Sequence, residues 1–280
     1  MLLPAVPPLA LLGLASPLTG VGLLLPGGGI WGLIAVLVVG GLSVTATART
    51  RRAALVGLCV LTLVAQVTHL ARQRADDGWL AVTTAVGAPP RSAVAAAVDA
   101  DAIERLRGLV ASTSATVLVL PEAYLRVWTS ASDAFLAPLW RRLAQEGRSV
   151  VLGVNRRDSV TGYLDNIVVV RGASRAELSQ HYPVPVSMYR GGAPGSTPMR
   201  LRGSYSLVVG DEQVGVVICW EQLLLAPMLQ LAIESPALKR LVAVSNLYFA
   251  RGTPVARIQQ ASVAAWARLF DVPYVHATNE

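Results

Sequence analysis

The sequence predicts an α/β domain, with helices covering the faces of a buried sheet, carried on a membrane anchor. Three observations predict it. From Thr83 onward, short β-branched runs alternate with apolar residues at helical spacing. From Leu2 to Ala71, charge is nearly absent. The whole chain, 280 residues with 15% charged side chains and a mean hydropathy of +0.51, is more apolar than a soluble domain requires.

The apolar end holds three stretches, Leu2 to Leu25, Ile30 to Ala48 and Ala53 to Leu70, each near the roughly 20 residues that cross a bilayer. About three transmembrane helices are therefore expected within residues 1–72. Pro4, Pro7, Pro8 and Pro17 would kink or break the first, although lipid-embedded helices tolerate proline better than soluble ones. That stretch lacks the basic start of a cleaved signal peptide, and two more apolar stretches follow it. Arg49, Arg51 and Arg52 stand between the second and third stretches, and cytoplasmic loops collect Lys and Arg. That loop is placed inside, so everything after about Arg72 lies outside the cytoplasm; Arg72 and Arg74 are a weaker opposing signal. The expectation is a multi-pass protein of the cytoplasmic membrane with its domain, residues 79–280, on the extracytoplasmic side.

Within the domain, strands are expected at Thr116 to Leu120, Ser149 to Val154, Asn166 to Val170, Tyr205 to Val209, Val214 to Ile218 and Leu241 to Val244. Ile103, Leu106 and Val110 keep helical spacing, as do Phe135, Leu136, Leu139, Trp140 and Leu143, with Gly147 placed to end that helix. A final helix begins at Thr253 as N-cap with Pro254 in its first turn, carries Ile258, Ala261, Ala265 and Leu269, and ends near Asp271. The Gly- and Pro-containing stretch from Arg190 to Pro198 reads as a surface loop bordering a site.

The net charge of +7 comes from arginines dispersed along the chain with no nucleic-acid-reading module, so nucleic acid is not an expected partner. Only Cys59, in a span, and Cys219, in the domain, are present, and no disulfide framework follows. His69 and His276 form no metal cluster, and zinc spacings, phosphate-binding loops and Ser-His-Asp elbows are missing, so no metal or cofactor is expected.

Two residues stand where chemistry gathers. In VVICWEQ the apolar run ends at Cys219 as the chain leaves a strand for the helix-like segment Leu223 to Ile233. A nucleophile there can use the backbone N–H of Trp220 to bind an oxyanion. The plain alternative is an inert core thiol, since free cysteine is among the most buried residue types. In VLVLPEAYL, Glu122 ends a buried run, where desolvation disfavours its charged form and suits a general base. The plain alternative is a surface carboxylate that begins a helix. Trp128, Trp140 and Trp266 read as core fillers, and only Trp220 sits beside the cysteine.

Taken together and in this order, LPEAY, ICWEQ, SNLYF and RGTPVARIQQASVAAWARLFDVPYVHATN resemble the nitrilase or carbon–nitrogen hydrolase superfamily over about Ala81 to Asn279. Within it the sequence is similar to the apolipoprotein N-acyltransferase branch, and PVPVSMYR, ICWEQLL and AWARLF are closer still to the TraB family associated with conjugal plasmid transfer. The resemblance implies an αββα four-layer sandwich and a Glu, Lys, Cys triad. It makes Glu122 the general base, Cys219 the nucleophile that forms a thioester, Trp220 the oxyanion donor and Glu221 a positioning residue, with Asn166 structural.

The sequence departs from that pattern at the lysine. Counting back from Pro185 of HYPVPV places Gln180 at the family's basic position, and the single lysine, Lys239, precedes the Leu241 strand. His181 or Arg190 are the nearby residues able to replace the missing charge. Met188 stands where the acyltransferase branch has a further glutamate. Relatives also continue past ATN with strands that complete the sheet, so a shortened C-terminus is expected.

Two functions remain open. One is a membrane-tethered amidase or acyltransferase acting on a lipid or a membrane-proximal amide or ester. The other is a catalytically impaired assembly or binding factor that contacts proteins of a conjugation or envelope apparatus.

Overall fold

The computed structural model describes residues 16–70, 78–86, 95–126, 128–158, 160, 162–185, 187–190, 193 and 196–280. Two sheets form its core. The first runs β1 (Trp79–Ala81), β2 (Val117–Leu125), β3 (Ser149–Arg157), β4 (Leu164–Gly172) and β5 (Ala176–Ser179), in that spatial order. β1 to β3 are parallel, and β4 and β5 continue antiparallel. The second runs β6 (Ser206–Val209), β7 (Glu212–Ile218), β8 (Arg240–Asn246) and β9 (Tyr274–Asn279), an antiparallel hairpin followed by two parallel strands. The six expected strands are present with adjusted ends. The short β1 and β5 and the terminal β9 add three that the β-branched runs did not signal.

Side chains alternate across a strand, and each sheet uses both faces. In the first sheet, Leu118, Leu120 and Leu152 join the cluster formed by Leu106 and Val110 of α4 (Ala95–Ser112) and Leu136 and Leu143 of α5 (Ser130–Gln145). Their neighbours Val117, Val119 and Val151 turn the other way and cluster with Val216, Ile218 and Val242 of the second sheet. On the far side, Val217, Leu241 and Ala243 join Leu231 of α6 (Leu225–Glu234) and Val263, Trp266 and Leu269 of α7 (Val255–Phe270). The layers are therefore helix, sheet, sheet, helix, with a dry valine-rich interface between the sheets.

The anchor differs from the three expected spans. Residues 1–15 of the first apolar stretch, including Pro4, Pro7 and Pro8, lie outside the described residues, as do Arg72 and Arg74. The remainder of that stretch lies against the domain. A 3-10 turn at Pro17–Gly20 and α1 (Val21–Leu24) pack on α7 and bury Leu18, Val21 and Leu25 in the cluster of Trp266 and Leu269. The approach is close enough that a Cβ at Gly22 would sit 1.7 Å from the Ala265 carbonyl oxygen.

The chain then bends by 113° into α2 (Gly29–Thr45). Among the described residues only α3 (Ala48–Leu70) is by itself long and apolar enough to cross a membrane, and the bent pair makes at most a second span. Against the three spans expected, the described residues hold one or two. Apolar residues of the first stretch serve the domain core, and α2 covers about 25 Å against about 30 Å of hydrocarbon. Arg49, Arg51 and Arg52 lie in the opening turns of α3 rather than in a loop.

The other end of α3 is fastened to the domain. Gln66 donates to the Leu23 carbonyl at 2.5 Å and accepts from Arg268 at 2.8 Å, and His69 lies 3.5 Å from Asp271. The domain thus sits at the end of α3 opposite its arginines.

Candidate active site

Glu122 reaches the site because β2 bulges. Leu120 pairs with Leu152 and Leu125 with Val154, so residues 121–124 stand opposite Gly153 alone. Pro121, which lacks an N–H, costs no ladder bond there. Ala123 takes a left-handed φ of +52°. Gly153 is required by the fit: a Cβ would fall 2.4 Å from the Pro121 carbonyl oxygen and 2.5 Å from Glu122 Cα. The bulge re-aims Glu122 toward the ends of the second sheet.

Cys219 lies at the end of β7, where the strand passes into a 3-10 turn, Cys219–Leu223. Its φ of +53° is a left-handed conformation that costs a non-glycine residue about 1–3 kcal/mol. Such strain persists only where the surroundings hold it, and here they do. Gln259 of α7 donates to the Cys219 carbonyl at 3.3 Å, Ser262 donates to the Gln222 carbonyl at 2.5 Å, and Gln222 donates to Val244 O at 3.0 Å and Ser245 Oγ at 2.7 Å.

The two residues meet directly. The Cys219 thiol and the Glu122 carboxylate lie close enough to perturb each other's ionisation, and the backbone N–H groups of Trp220 and Asn246 face the sulfur. Asn166 of β4 donates to Glu122 Oε1 at 2.6 Å, and the Asn246 N–H at the end of β8 donates to Oε2 at 2.8 Å. Burial raises Glu122 above the usual carboxylate value of 4.5, against the pull of these hydrogen bonds. Burial, with the Glu122 charge second, raises the Cys219 thiol well above its ordinary range.

Gln180 lies in the same cluster and is fully buried. Its Oε1 accepts from Asn166 at 3.1 Å and its Nε2 donates to the Ile218 carbonyl at 3.2 Å, one residue before the cysteine. Glu221 is also fully buried and points away from the thiol. It accepts from the N–H groups of Ile218 at 2.9 Å, His181 at 2.7 Å and Tyr182 at 2.9 Å. These bonds lock the chain after β5 to the cysteine turn, and burial pushes Glu221 up to about 7.

Neither neighbour supplies the missing charge. His181 is stacked on Tyr205 with ring centroids 4.3 Å apart, and burial, then the Arg200 charge, lowers it to about 4, so it is neutral. Arg190 is exposed, and Lys239 is exposed at the start of β8, the far end of the sheet from Asn246. Among the described residues, no lysine or arginine hydrogen-bonds Glu122, Cys219 or the Gln180 side chain.

Asn166, expected as structural, instead connects the Glu122 and Gln180 side chains. Asn246, Asn279, Gln222 and Gln259 were not singled out from sequence, although Asn246 closes the LVAVSN run much as Glu122 closes VLVLPE. Asn279 donates to Asn246 Oδ1 at 2.8 Å and accepts from Thr84 at 2.9 Å and the Val86 N–H at 2.8 Å, tying β8 to the segment after β1. Beside Glu122 opens a cavity of about 210 Å³ that also touches Asn155, Asn246 and Tyr248, while Cys219, only 6% exposed, is not among its lining residues. Among the described residues no group of His, Cys, Asp and Glu is arranged to hold a metal ion.

No protein-family model matches the chain. In sequence it is 32% identical over 281 residues to conjugal transfer protein TraB of Agrobacterium fabrum, covering 98% of this chain and 64% of that one. It is 31% identical over 283 residues to a probable conjugal transfer protein TraB of Sinorhizobium fredii, covering 98% and 70%. The chain thus spans about two-thirds of the length of these relatives. In fold it is similar to an amidase from a Nesterenkonia species, with a TM-score of 0.50 at 13% identity over 70% of this chain and 74% of that one. A variant of that amidase in complex with butyramide gives a TM-score of 0.51 at 14% identity, covering 70% and 75%. A further variant is described as belonging to the nitrilase superfamily, and at such identity the likeness establishes a nitrilase-like fold.

The buried thiol predicts a pH profile. In a Cys59→Ala background, alkylation of Cys219 by iodoacetamide, read by intact mass, should still be accelerating above about pH 9, beyond the ordinary thiol value. Glu122→Gln removes a carboxylate charge that raises the thiol and should move the curve to lower pH. A plateau below about pH 8.5 that the substitution leaves in place would contradict this electrostatic picture.

Proposed function

The chain belongs to the TraB family of conjugal transfer proteins, and from that footing we propose that it is a membrane-anchored acyltransferase or amidase working through a thioester on Cys219. One observation carries the proposal: the apposition of the Cys219 thiol and a buried Glu122 carboxylate at the converging ends of strands from two sheets. The nitrilase-like fold supports it as an analogy.

In the reaction, Cys219 Sγ attacks the carbonyl carbon of an amide or ester while Glu122 takes the thiol proton. The carbonyl oxygen becomes an oxyanion facing the Trp220 N–H. Collapse expels the amine or alcohol, which leaves with the proton from Glu122. The acyl group then passes from sulfur to water or to a second amine, as Glu122 takes that nucleophile's proton and returns it to the departing Cys219 thiolate. Gln180 offers a neutral donor where the family pattern has a cation, so the thiolate and oxyanion are less stabilised and turnover is slow.

We read residues 1–72 as the anchor, with residues 16–25 also serving the domain, and residues 79–280 as the hydrolase-like domain. The arginines at one end of α3 and the domain fastened to the other support an extracytoplasmic position, within reach of a lipid or a membrane-proximal amide or ester. Gln180 and the enclosed thiol favour a second reading, a catalytically impaired binding factor for conjugation-apparatus proteins.

Acylation separates the two. With purified full-length protein and the p-nitrophenyl ester of butyrate, Cys219 should label slowly. Gln180→Lys should accelerate labelling by about 100-fold, the size of one oxyanion donor, while Glu122→Gln slows it and Cys219→Ala abolishes it. Cys219 that stays unlabelled both in the native protein and with lysine at 180 leaves only the binding-factor reading. A topology reporter fused after Glu280 should give an extracytoplasmic signal; a cytoplasmic one overturns the orientation.

A further inference from the structure

The cavity at Glu122 holds two cations that the acyl-transfer step does not use. Arg105 and Arg126 line it, and among the described residues Glu122 is its only lining carboxylate. Arg126 leaves the bulge of β2 with its backbone N–H held by Asp99 at 3.0 Å, while its half-buried guanidinium makes no hydrogen bond or ion pair to any described residue. Arg105 pairs through one nitrogen with the exposed Asp101, yet its Nε is buried without a partner. The hydroxyl of Tyr124 faces the Arg105 guanidinium in the same lining and has no other partner among the described residues.

Unsatisfied buried donors are uncommon because each forfeits the hydrogen bond it would make in water. The Arg105 Nε and the Tyr124 hydroxyl, with the open Arg126 guanidinium in the same cavity lining, mark a place where a ligand completes the hydrogen bonding. Guanidinium groups present planar forks of N–H donors that match carboxylate and phosphate oxygens. Asn155 and Tyr248 add neutral polar edges to the cavity.

We infer that the substrate is an amide or ester carrying an oxyanion, a carboxylate or a phosphate, seated on Arg126 and Arg105 with its carbonyl directed toward Glu122 and Cys219. The inference rests on the acyl-transfer reading for the carbonyl, and on the two arginines alone for the anion. Arg126 is a specificity-determining residue in this account: it touches substrate but not the reacting atoms.

The test has a binding arm and a chemical arm. In full-length Cys219→Ala protein, titration calorimetry compares butyramide with succinamate, which carries a carboxylate in place of the terminal methyl, and with the phosphate monoester of N-acetylethanolamine. At least one anionic amide should bind about tenfold or more tightly than butyramide, and Arg126→Gln should bring that ratio near one. A carboxylate or phosphate preference identifies the oxyanion.

In the Cys219-containing protein, the p-nitrophenyl monoester of succinate should acylate Cys219 faster than the butyrate ester, and Arg126→Gln should erase the advantage. Equal binding of neutral and anionic amides, or a ratio that Arg126→Gln leaves intact, overturns the inference. Anion-selective binding without acylation by either ester sinks the acyl-transfer reading and keeps the anion seat. Equal acylation by both esters does the reverse.

Discussion

A carboxylate buried between two sheets has to be satisfied by groups from both, and that requirement at Glu122 fixes much of the site. Its oxygens accept from Asn166 of the first sheet and from the Asn246 N–H of the second, while the Cys219 thiol approaches from β7. Removing a partner of a buried charge is costly, so the bonds hold the ends of β2, β4, β7 and β8 in one relative position. Asn279 extends the same fastening to β9 and to the strand-like segment around Thr84.

Strain on either side of that contact follows from it. Glu122 can point at the second sheet only if β2 bulges and Gly153 leaves room, and Cys219 can meet it only from a left-handed turn. The polar residues of α7 that lie beneath the turn stabilise this conformation. With no cation paired to the thiol, the same burial that encloses the site keeps its proton on sulfur, which connects the Gln180 substitution to a slow nucleophile.

The sequence made the layers legible because buried strands are near-continuous β-branched runs, and such runs located β2, β3, β4, β7 and β8. β1 and β5 are too short to give a pattern. The apolar signal misled where one face serves two purposes. Ile258 and Ala261, which gave the helical spacing with Ala265 and Leu269, are exposed, and the buried face of α7 carries Gln259 and Ser262 because they bond the cysteine turn. Likewise the first apolar stretch reads as a membrane span by composition, yet Leu18, Val21 and Leu25 pack against Trp266 and Leu269. Glu122, Cys219 and Gln180 were visible as strand-end residues or through resemblance. Asn246 was not, because it acts through its backbone N–H, which leaves no mark on residue identity.

The ionisation of Glu122 tests the central contact most directly. The infrared difference between the protein and its Glu122→Gln variant isolates the C=O band of the protonated carboxyl, followed as pH is raised. The band should survive above the usual carboxylate value of 4.5, and in a Cys219→Ala background to higher pH still, because the thiol that favours the carboxylate is gone. A band lost near 4.5 in both backgrounds, at the same pH, would contradict the buried Glu122–Cys219 pair.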